Sequence, residues 1–455
     1  MSKQSARIRR TFTPQFKKDA VRLVDDGRSV TEIARSLGIA RSLLQRWKEQ
    51  LQRDGQHSFP GKGHQTPEAE ELLLDASIQL LNLAWRVGLP GEEADRLFEQ
   101  CEKLVARRGD LRLETKLLGA YAGMLGIVQG NGRLYYEYAK RSAEAARASG
   151  DTFLQDSVAI YRTYSSLAAG HLDEAREVAE EVIARDPDDG RVHQSFLGID
   201  PYAFAWHNLT TTAIEQGDLD LARRANAKAI ERAQACGEFE IEIWALGAAG
   251  LIGYASGEPG NGPSQARRAV ELAENVGSPA NRILAYLSLA AANLAPSDWK
   301  GAAAAAEQAI ETIRDCQVGP IWAAQSFAYW SEAALGAGDA SRALELADES
   351  IASAQRCGGP GYESYGQLAR ARALLSLNGV SAGKESTQAL DRAAALIEQT
   401  GTRNRLPHVH ECRAELARLR EDGAQREAEL REAQRLFAEL DAAGHAQRIQ
   451  SMLDG

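Results

Sequence analysis

Apolar residues recur at helical spacing along most of the chain, and short breaks rich in glycine separate the helical segments. Near the N-terminus this pattern predicts three short helices. The first stops at Gly27, and the second begins at Ser29, which has the spacing of a capping box with Glu32. Gly38 makes a tight turn, and the third helix is predicted over residues 40–52. This stretch is therefore expected to form a small three-helix domain.

The third predicted helix is amphipathic. Leu43, Leu44 and Trp47 occupy its inner face, and polar side chains occupy the outer face. Two helices joined by a short glycine-containing turn form a helix-turn-helix, whose second helix enters the major groove of DNA. Arginine pairs with guanine and glutamine with adenine through two hydrogen bonds each. The predicted DNA contacts on this helix are Arg41, Ser42, Gln45, Arg46 and Lys48.

The distribution of charge supports contact with nucleic acid. Residues 1–66 hold 14 Lys and Arg against 6 Asp and Glu, whereas the other residues hold 39 against 57. A basic block on an otherwise acidic chain is the pattern expected for phosphate contact. Arg7, Arg9 and Arg10 are predicted to form an arm that reaches a minor groove. The alternative is a packed three-helix module with a basic surface.

The segment RRTFTPQFKKDAVRLVDDGRSVTEIARSLGIARSLLQRWKEQ also carries a family resemblance. It resembles the N-terminal domain of the small DNA-binding subunit of insertion-sequence transposases, and the similarity continues through Phe59–His64 and Thr66–Glu68. In that family the domain binds the terminal inverted repeats of the element, and a second protein supplies the acidic catalytic triad. The resemblance implies that the outer positions of the third helix contact DNA.

The chain departs from that family near Glu70. Members of the family continue into a leucine zipper, but here Gly88–Gly91 ends the apolar helix after barely two and a half heptads. A coiled coil needs at least about three heptads to be recognised. A single helix-turn-helix usually needs a second copy to bind tightly, so a homodimer is expected through another surface.

A second pattern, with a period of about 40 residues, begins near residue 112. The breaks lie 40 or 41 residues apart, except for one interval of 47 that contains an additional loop. They occur at Gly130, Gly170, Gly217, Gly257, Ser297, Gly338 and Asn378. Each unit is predicted to be a helix, a tight turn and a second helix. Because one helical pair cannot bury its apolar face alone, seven such units are expected to stack into a superhelix.

The unit over residues 206–229 shows which repeat class this is. Gly217, Asp218 and Ala222 are spaced as in the tetratricopeptide repeat, which the unit resembles without a gap, although Thr210 replaces the family's glycine. The period exceeds the usual 34 residues, which implies longer helices. The HEAT class has periods nearer 40 residues, but the spacing of Gly, Asp and Ala favours the tetratricopeptide class.

The sequence thus predicts an all-α protein, in which a helix-turn-helix domain precedes a tetratricopeptide-like superhelix of about seven helical hairpins with capping helices. The predicted divisions are the DNA-binding domain at 1–57, a linker at 58–68, irregular capping helices at 69–111, the repeats at 112–405 and C-terminal capping helices at 406–455.

The first helices of the units are expected to line a concave groove that binds a peptide or protein partner. The acidity of the array favours a basic partner or serves solubility. The alternative for Trp244 and Tyr329 is a place in the core between repeats. The residues predicted on or near the groove are His207, Asn208, Thr211, Trp244, Gln325, Tyr329 and Glu332.

The candidate catalytic and metal-binding motifs are incomplete. The segment Gly379–Ser386 is shorter than a phosphate loop, and a glutamate follows its lysine where serine or threonine must hold magnesium. The spacing of His408, His410 and Cys412 distributes them over different helix faces. No enzymatic activity, metal or cofactor is expected.

The five cysteines are widely spaced and form no CxxC pair, which indicates a reducing cytoplasm. No apolar stretch reaches the roughly 18 residues of a membrane span, so no membrane partner is expected. The leading functional hypothesis is sequence-specific binding of double-stranded DNA, by a transposase-derived protein or a transcriptional regulator, with a partner bound by the repeats. The alternative is an interaction scaffold that carries a relic helix-turn-helix.

Overall fold

The computed structural model describes residues 12–25, 29–54, 67–187 and 195–454. These residues form α-helices joined by short turns, without a β-strand among them, so the predicted all-α class is confirmed. The α-helices are α1 (Pro14–Asp25), α2 (Val30–Ser36), α3 (Arg41–Asp54), α4 (Pro67–Val87), α5 (Gly91–Arg108), α6 (Leu111–Gly123), α7 (Gly132–Ser149), α8 (Thr152–Ala169), α9 (Leu172–Ala184), α10 (Pro201–Gln216), α11 (Leu219–Cys236), α12 (Phe239–Ser256), α13 (Gly262–Val276), α14 (Pro279–Leu294), α15 (Trp299–Cys316), α16 (Ala323–Gly336), α17 (Ala340–Cys357), α18 (Pro360–Asn378), α19 (Gly383–Thr400), α20 (Leu406–Leu419), α21 (Gly423–Glu439) and α22 (Ala443–Asp454).

Helices α1 to α3 form the predicted three-helix domain around Trp47, which is buried. The ring centroid of Trp47 lies 4.9 Å from that of Phe12 and 5.9 Å from that of Phe16, in edge-to-face geometry. Such aromatic pairs add to the stabilisation that burial itself provides. Gly38 has a φ of 60°, a conformation that glycine adopts without steric cost, and it allows α3 to follow α2 closely.

The beginning of α2 differs from the prediction. Ser29 occupies the N-cap position, but its side chain makes no capping hydrogen bond. The carbonyl oxygen of Ser29 instead accepts hydrogen bonds from the N–H groups of Glu32 and Ile33, both at 3.1 Å. The predicted capping box is therefore wrong in its side-chain bond, although the helix begins where the box placed it.

The helix-turn-helix packs against the hairpin formed by α4 and α5. Buried apolar side chains of α1 to α3 and of α4 to α6 form one continuous cluster. Arg22 Nη1 on α1 lies 3.4 Å from Glu93 Oε2 on α5. Burial, followed by the nearby Glu93 carboxylate, raises the pKa of Asp19 to about 7. These contacts hold the domain against the array. The predicted linker lies almost entirely outside the described residues.

Seven helical hairpins follow, with the predicted breaks at their turns. We number them unit 1 (α6–α7), unit 2 (α8–α9), unit 3 (α10–α11), unit 4 (α12–α13), unit 5 (α14–α15), unit 6 (α16–α17) and unit 7 (α18–α19). The helices at both ends, predicted to be irregular caps, continue the pattern as the hairpins α4–α5 and α20–α21, and α22 is the last helix described.

The turn of unit 3 shows why the spacing of Gly, Asp and Ala produces a hairpin. Gly217 ends α10 in the left-handed conformation, with a φ of 80°. The Asp218 side chain then caps α11 by accepting a hydrogen bond from the N–H of Leu221 at 3.1 Å. Ala222 is completely buried, and its small side chain permits a close approach of helices.

The superhelix brings units that are five places apart along the chain into contact. The turn glycines of successive units lie against the unit five places further along the chain. A Cβ atom at Gly130 of unit 1 would lie 2.8 Å from Pro320 Cγ at the start of unit 6. One at Gly170 of unit 2 would lie 2.6 Å from Thr400 Cγ2 of unit 7.

The same relation continues in units 3 and 4. Gly217 lies against Leu440, which follows α21, and a Cβ atom at Gly257 would lie 2.6 Å from the backbone nitrogen of His445 on α22. Each superhelical turn therefore packs directly on the next. The inner surface of the superhelix is a narrow lumen, and its role as the expected partner groove stays a prediction.

Candidate DNA-reading helix and central lumen

The outer face of α3 is exposed within the described part of the chain. Arg41, Ser42, Gln45 and Arg46 are all exposed, whereas Leu44 on the opposite face is completely buried. Arg41 and Ser42 stand in the first turn of the helix. The N-terminal residues of a recognition helix are those that contact base edges in this class of motif. The structure thus brings four of the predicted DNA contacts together on one accessible face.

Two neighbouring acidic groups modify this face. Lys48, the fifth predicted contact on α3, is only half-exposed, and its Nζ lies 2.9 Å from Asp25 Oδ1 at the end of α1. Gln45 Nε2 donates a hydrogen bond to Glu49 Oε1 at 3.4 Å. Glu49 is exposed among the predicted contacts, and carboxylates accept hydrogen bonds from the amino group of cytosine. Because Glu49 follows Gln45 by four residues, helical spacing places both on the same face, and this spacing could have identified Glu49 as a candidate DNA contact in the sequence.

The predicted minor-groove arm carries Arg7, Arg9 and Arg10. These three residues lie outside the described part of the chain, so their role stays a prediction.

The second candidate site is a central lumen of about 130 Å³, lined mainly by the first helices of successive units. Aromatic side chains dominate its wall. They include Trp85, Tyr161, Trp244, Tyr254, Trp322 and Tyr329. Tyr254 and Tyr329 meet edge to face at a centroid distance of 5.3 Å. The first helices therefore supply the inner surface, as the repeat pattern predicts.

Five of the seven predicted groove residues line this lumen: His207, Thr211, Trp244, Gln325 and Tyr329. Trp244 and Tyr329 are nonetheless buried, and they pack against neighbouring units. The indole nitrogen of Trp244 donates a hydrogen bond to Asn281 Oδ1 of unit 5 at 2.8 Å. These two residues thus belong to the core between repeats and to the lumen wall at once.

The remaining two predicted groove residues lie elsewhere. Asn208 is buried, and its amide nitrogen donates to the Phe204 carbonyl oxygen of the same helix at 3.1 Å. Glu332 accepts a hydrogen bond from the Tyr254 hydroxyl at 2.6 Å and lies 3.7 Å from Arg372. Glu332 thus connects the wall of the lumen to the polar interior near α20.

Arg405 and Glu215 are the charged residues of the lumen wall, and sequence reasoning did not single out either of them. The Tyr365 hydroxyl donates a hydrogen bond to Glu215 at 2.7 Å. The Arg405 guanidinium lies 3.7 Å from the centroid of the Tyr365 ring and donates to the Tyr254 hydroxyl at 3.2 Å. Burial raises the pKa of Glu215 above its ordinary value, and the Arg405 charge opposes that shift.

Burial also lowers the pKa of His207 to about 4, so its imidazole is neutral at neutral pH. Within the described ranges, groups of three or more His, Cys, Asp or Glu side chains suited to a metal ion are not found. Nor does any helix in the described ranges have the length and apolar character needed to cross a membrane.

The family model HTH_Tnp_1, described as "Transposase", matches residues 6–74. The N-terminal segment therefore resembles a transposase-type helix-turn-helix domain, as the sequence suggested, and this match covers only the N-terminal part of the chain. No curated protein matches the chain.

Among solved structures, the chain is similar to helical-repeat proteins. One is a signal transduction ATPase with numerous domains and a tetratricopeptide repeat sensor from Pyrococcus horikoshii, with 10% identity, a TM-score of 0.45 and coverage of 97% of this chain. The chain spans 66% of the length of that protein. A Rap protein complexed with Competence and Sporulation Factor has 12% identity and a TM-score of 0.41, with coverage of 96% of this chain and 97% of that one. Yeast Tom70 has 13% identity and a TM-score of 0.35, with coverage of 96% of both chains.

Proposed function

We propose that the protein binds double-stranded DNA in a sequence-specific manner through α3, as a transposase-derived DNA-binding protein or a transcriptional regulator. The observation that carries this proposal is the exposed polar face of α3. Arg41, Ser42, Gln45 and Arg46 project from one side of a helix whose other side is fixed by Leu44 and the aromatic core around it. A rigid helix that presents side chains suited to base edges meets the requirement for direct readout.

The match to a transposase family over residues 6–74 supports DNA as the partner of this face. The excess of basic residues in the first 66 residues supports it independently, since phosphate contacts supply most of the non-specific affinity.

A matched pair of arginine variants tests the proposal in the full chain. Arg46→Ala is expected to weaken binding to a preferred duplex by about 1–3 kcal/mol and to relax the sequence preference. Arg224→Ala on α11 removes another exposed arginine, which forms an ion pair with Asp220 of the same helix, and it is expected to leave DNA binding unchanged. Fluorescence anisotropy with labelled duplexes at two salt concentrations gives both values. Equal behaviour of the two variants would leave the alternative, a scaffold with a relic helix-turn-helix, as the better account.

For the repeat array we propose a peptide or protein partner. The acidity of the chain beyond residue 66 supports a partner with basic character. Because Asn208, Trp244, Gln325 and Tyr329 are buried, a partner can approach the predicted groove residues near the half-buried His207, Thr211 and Glu332.

We also propose that the protein acts as a cytoplasmic homodimer, since two helix-turn-helix units bind two half-sites more tightly than one. Light scattering of the full chain, with and without a duplex that carries two half-sites, tests the dimer.

A further inference from the structure

We propose that the central lumen is a binding site for a small uncharged molecule with a single aromatic ring. The proposal goes beyond DNA binding and does not depend on it, because every residue involved belongs to the array or to the hairpins at its ends.

The volume of the lumen sets the size of the ligand. The space is about 130 Å³, close to the roughly 150 Å³ of an apolar cavity that stays dry and holds benzene. A molecule the size of phenol fits such a space. Gly130 and Gly170 bring units 1 and 2 into contact with units 6 and 7, so that successive superhelical turns surround this small space.

The wall selects an aromatic ring. Trp244 lies at a centroid distance of 6.1 Å from Trp85 and 5.8 Å from Phe204, and Tyr254 lies 5.3 Å from Tyr329. Aromatic rings attract one another in edge-to-face or offset geometry at centroid distances of about 4.5–7 Å. An aromatic ligand in the lumen can therefore form edge-to-face and offset contacts with the surrounding rings. A saturated ring has no π-system and cannot form these contacts.

The charges of the wall exclude a charged ligand. Glu215 accepts a hydrogen bond from Tyr365, and Arg405 donates through Nη1 to Tyr254 and stacks on the Tyr365 ring, whereas its buried Nε has no hydrogen-bond partner among the described residues. The charges of Arg405 and Glu215 are opposite and act on each other, so the wall carries no net charge. His207 is neutral at neutral pH. A ligand that brings its own charge would lose its hydration without gaining a free opposite charge, which is strongly unfavourable in a buried apolar space.

Thr211 offers a position at which the lumen can be filled. It lines the lumen, and its hydroxyl donates a hydrogen bond to the Asn208 carbonyl oxygen of its own helix at 3.0 Å. Thr211→Phe adds a ring to the wall. Thr387 on α19 is also half-buried and donates to the Gly383 carbonyl oxygen of its own helix at 2.7 Å, but it lies outside the lumen. Thr387→Phe is therefore the matched control.

Isothermal titration calorimetry of the full chain with phenol, cyclohexanol and benzoate tests the proposal. Phenol is expected to bind with a Kd of roughly 1 mM or tighter. Cyclohexanol is expected to bind roughly 2- to 10-fold more weakly, since it lacks the aromatic contacts. Benzoate is expected to bind too weakly to detect because of its charge.

The variants locate the site. Thr211→Phe is expected to abolish phenol binding, and Thr387→Phe is expected to bind phenol like the natural chain. Circular dichroism verifies that each variant is folded, and Leu284→Phe, on the α14 part of the wall, replaces Thr211→Phe if the latter does not fold. The proposal is overturned if phenol does not bind the natural chain, if benzoate binds as well as phenol, or if a folded lumen variant retains full affinity. None of these results bears on DNA binding, which is measured separately.

Discussion

Asp19 is a carboxyl group buried at the junction of the helix-turn-helix and the array. It is only 7% exposed, and Gln15 Nε2 donates a hydrogen bond to Asp19 Oδ1 at 2.8 Å. Burial and the Glu93 carboxylate raise the pKa of Asp19 to about 7. In the unfolded chain the group has its ordinary pKa of about 4. The folded state therefore holds a proton that the unfolded state releases, and the junction loses stability as pH rises from about 4 to about 7.

Asp19→Asn removes this titration while it keeps the size of the side chain and an oxygen that can accept from Gln15. The melting temperature of the variant, relative to the natural chain, is expected to increase as pH rises from about 4 to about 7 and then to stay constant. Thermal unfolding between pH 4 and pH 8 measures this difference. Asp75→Asn, at an exposed position on α4, is the control and should show no such trend. A constant difference for Asp19→Asn would contradict the account of the junction.

Arg232 illustrates a buried ion pair that the repeat pattern does not reveal. Its Nε lies 3.0 Å from Oδ1 of the completely buried Asp200, and its Nη1 lies 2.6 Å from Asp186 Oδ2. Asp200 also caps α10 by accepting hydrogen bonds from two backbone N–H groups. The ion pair therefore connects the additional loop before α10 to the second helix of unit 3.

Arg232→Met leaves the Asp200 charge buried without this partner. The expected loss in the free energy of unfolding is about 3–5 kcal/mol. Arg224→Met on the same helix removes an exposed pair with Asp220 and is expected to cost less than about 1 kcal/mol. Urea denaturation, monitored by circular dichroism, measures the free energy of unfolding of both variants. Similar losses in both variants would show that the buried pair does not stabilise unit 3 in this way.

At the scale of the helices, the sequence predicts the helical hairpins, but it does not predict the side-chain cap of α2 or the contacts between distant units. The Gly-Asp pair of unit 3 acts through local chemistry, a left-handed glycine and an aspartate cap, so its spacing suffices to predict the turn. The Ser29 capping box depends on the orientation of one exposed side chain, which the spacing does not determine. The lumen arises from contacts five units apart, about 190 residues along the chain from Gly130 to Pro320, and no short-range pattern encodes them.

Gly217→Ala tests those long-range contacts. The left-handed φ alone costs about 1–2 kcal/mol for alanine, and the contact with Leu440 adds to this cost. Gly237→Ala, at a similar left-handed position with open space around it, measures the strain by itself. The loss in the free energy of unfolding is expected to be larger for Gly217→Ala. Equal losses would show that the superhelical turns do not pack on each other at this point.

At the scale of the whole molecule, a basic helix-turn-helix domain is fixed to one end of an acidic superhelix. The exposed residues of α3 could be predicted from the sequence, because helical periodicity separates them from the buried Leu44 and Trp47. The contacts between superhelical turns could not be predicted, since they join units five places apart in the chain, which no short-range pattern encodes. Arg405 and Glu215 could therefore not be predicted as lumen residues. They come together around Tyr365 only because unit 3 packs against the segment that follows unit 7.

Selection of duplexes from a random library by the full chain tests whether α3 reads a DNA sequence. We expect one sequence to be enriched, and we expect fluorescence anisotropy to show that the chain binds it at least about 10³-fold more tightly than a scrambled duplex at physiological salt. Raising the salt concentration should weaken both complexes, and the preference should persist. Failure to enrich any sequence, or equal affinity for the enriched and scrambled duplexes, would contradict a sequence-reading role for α3.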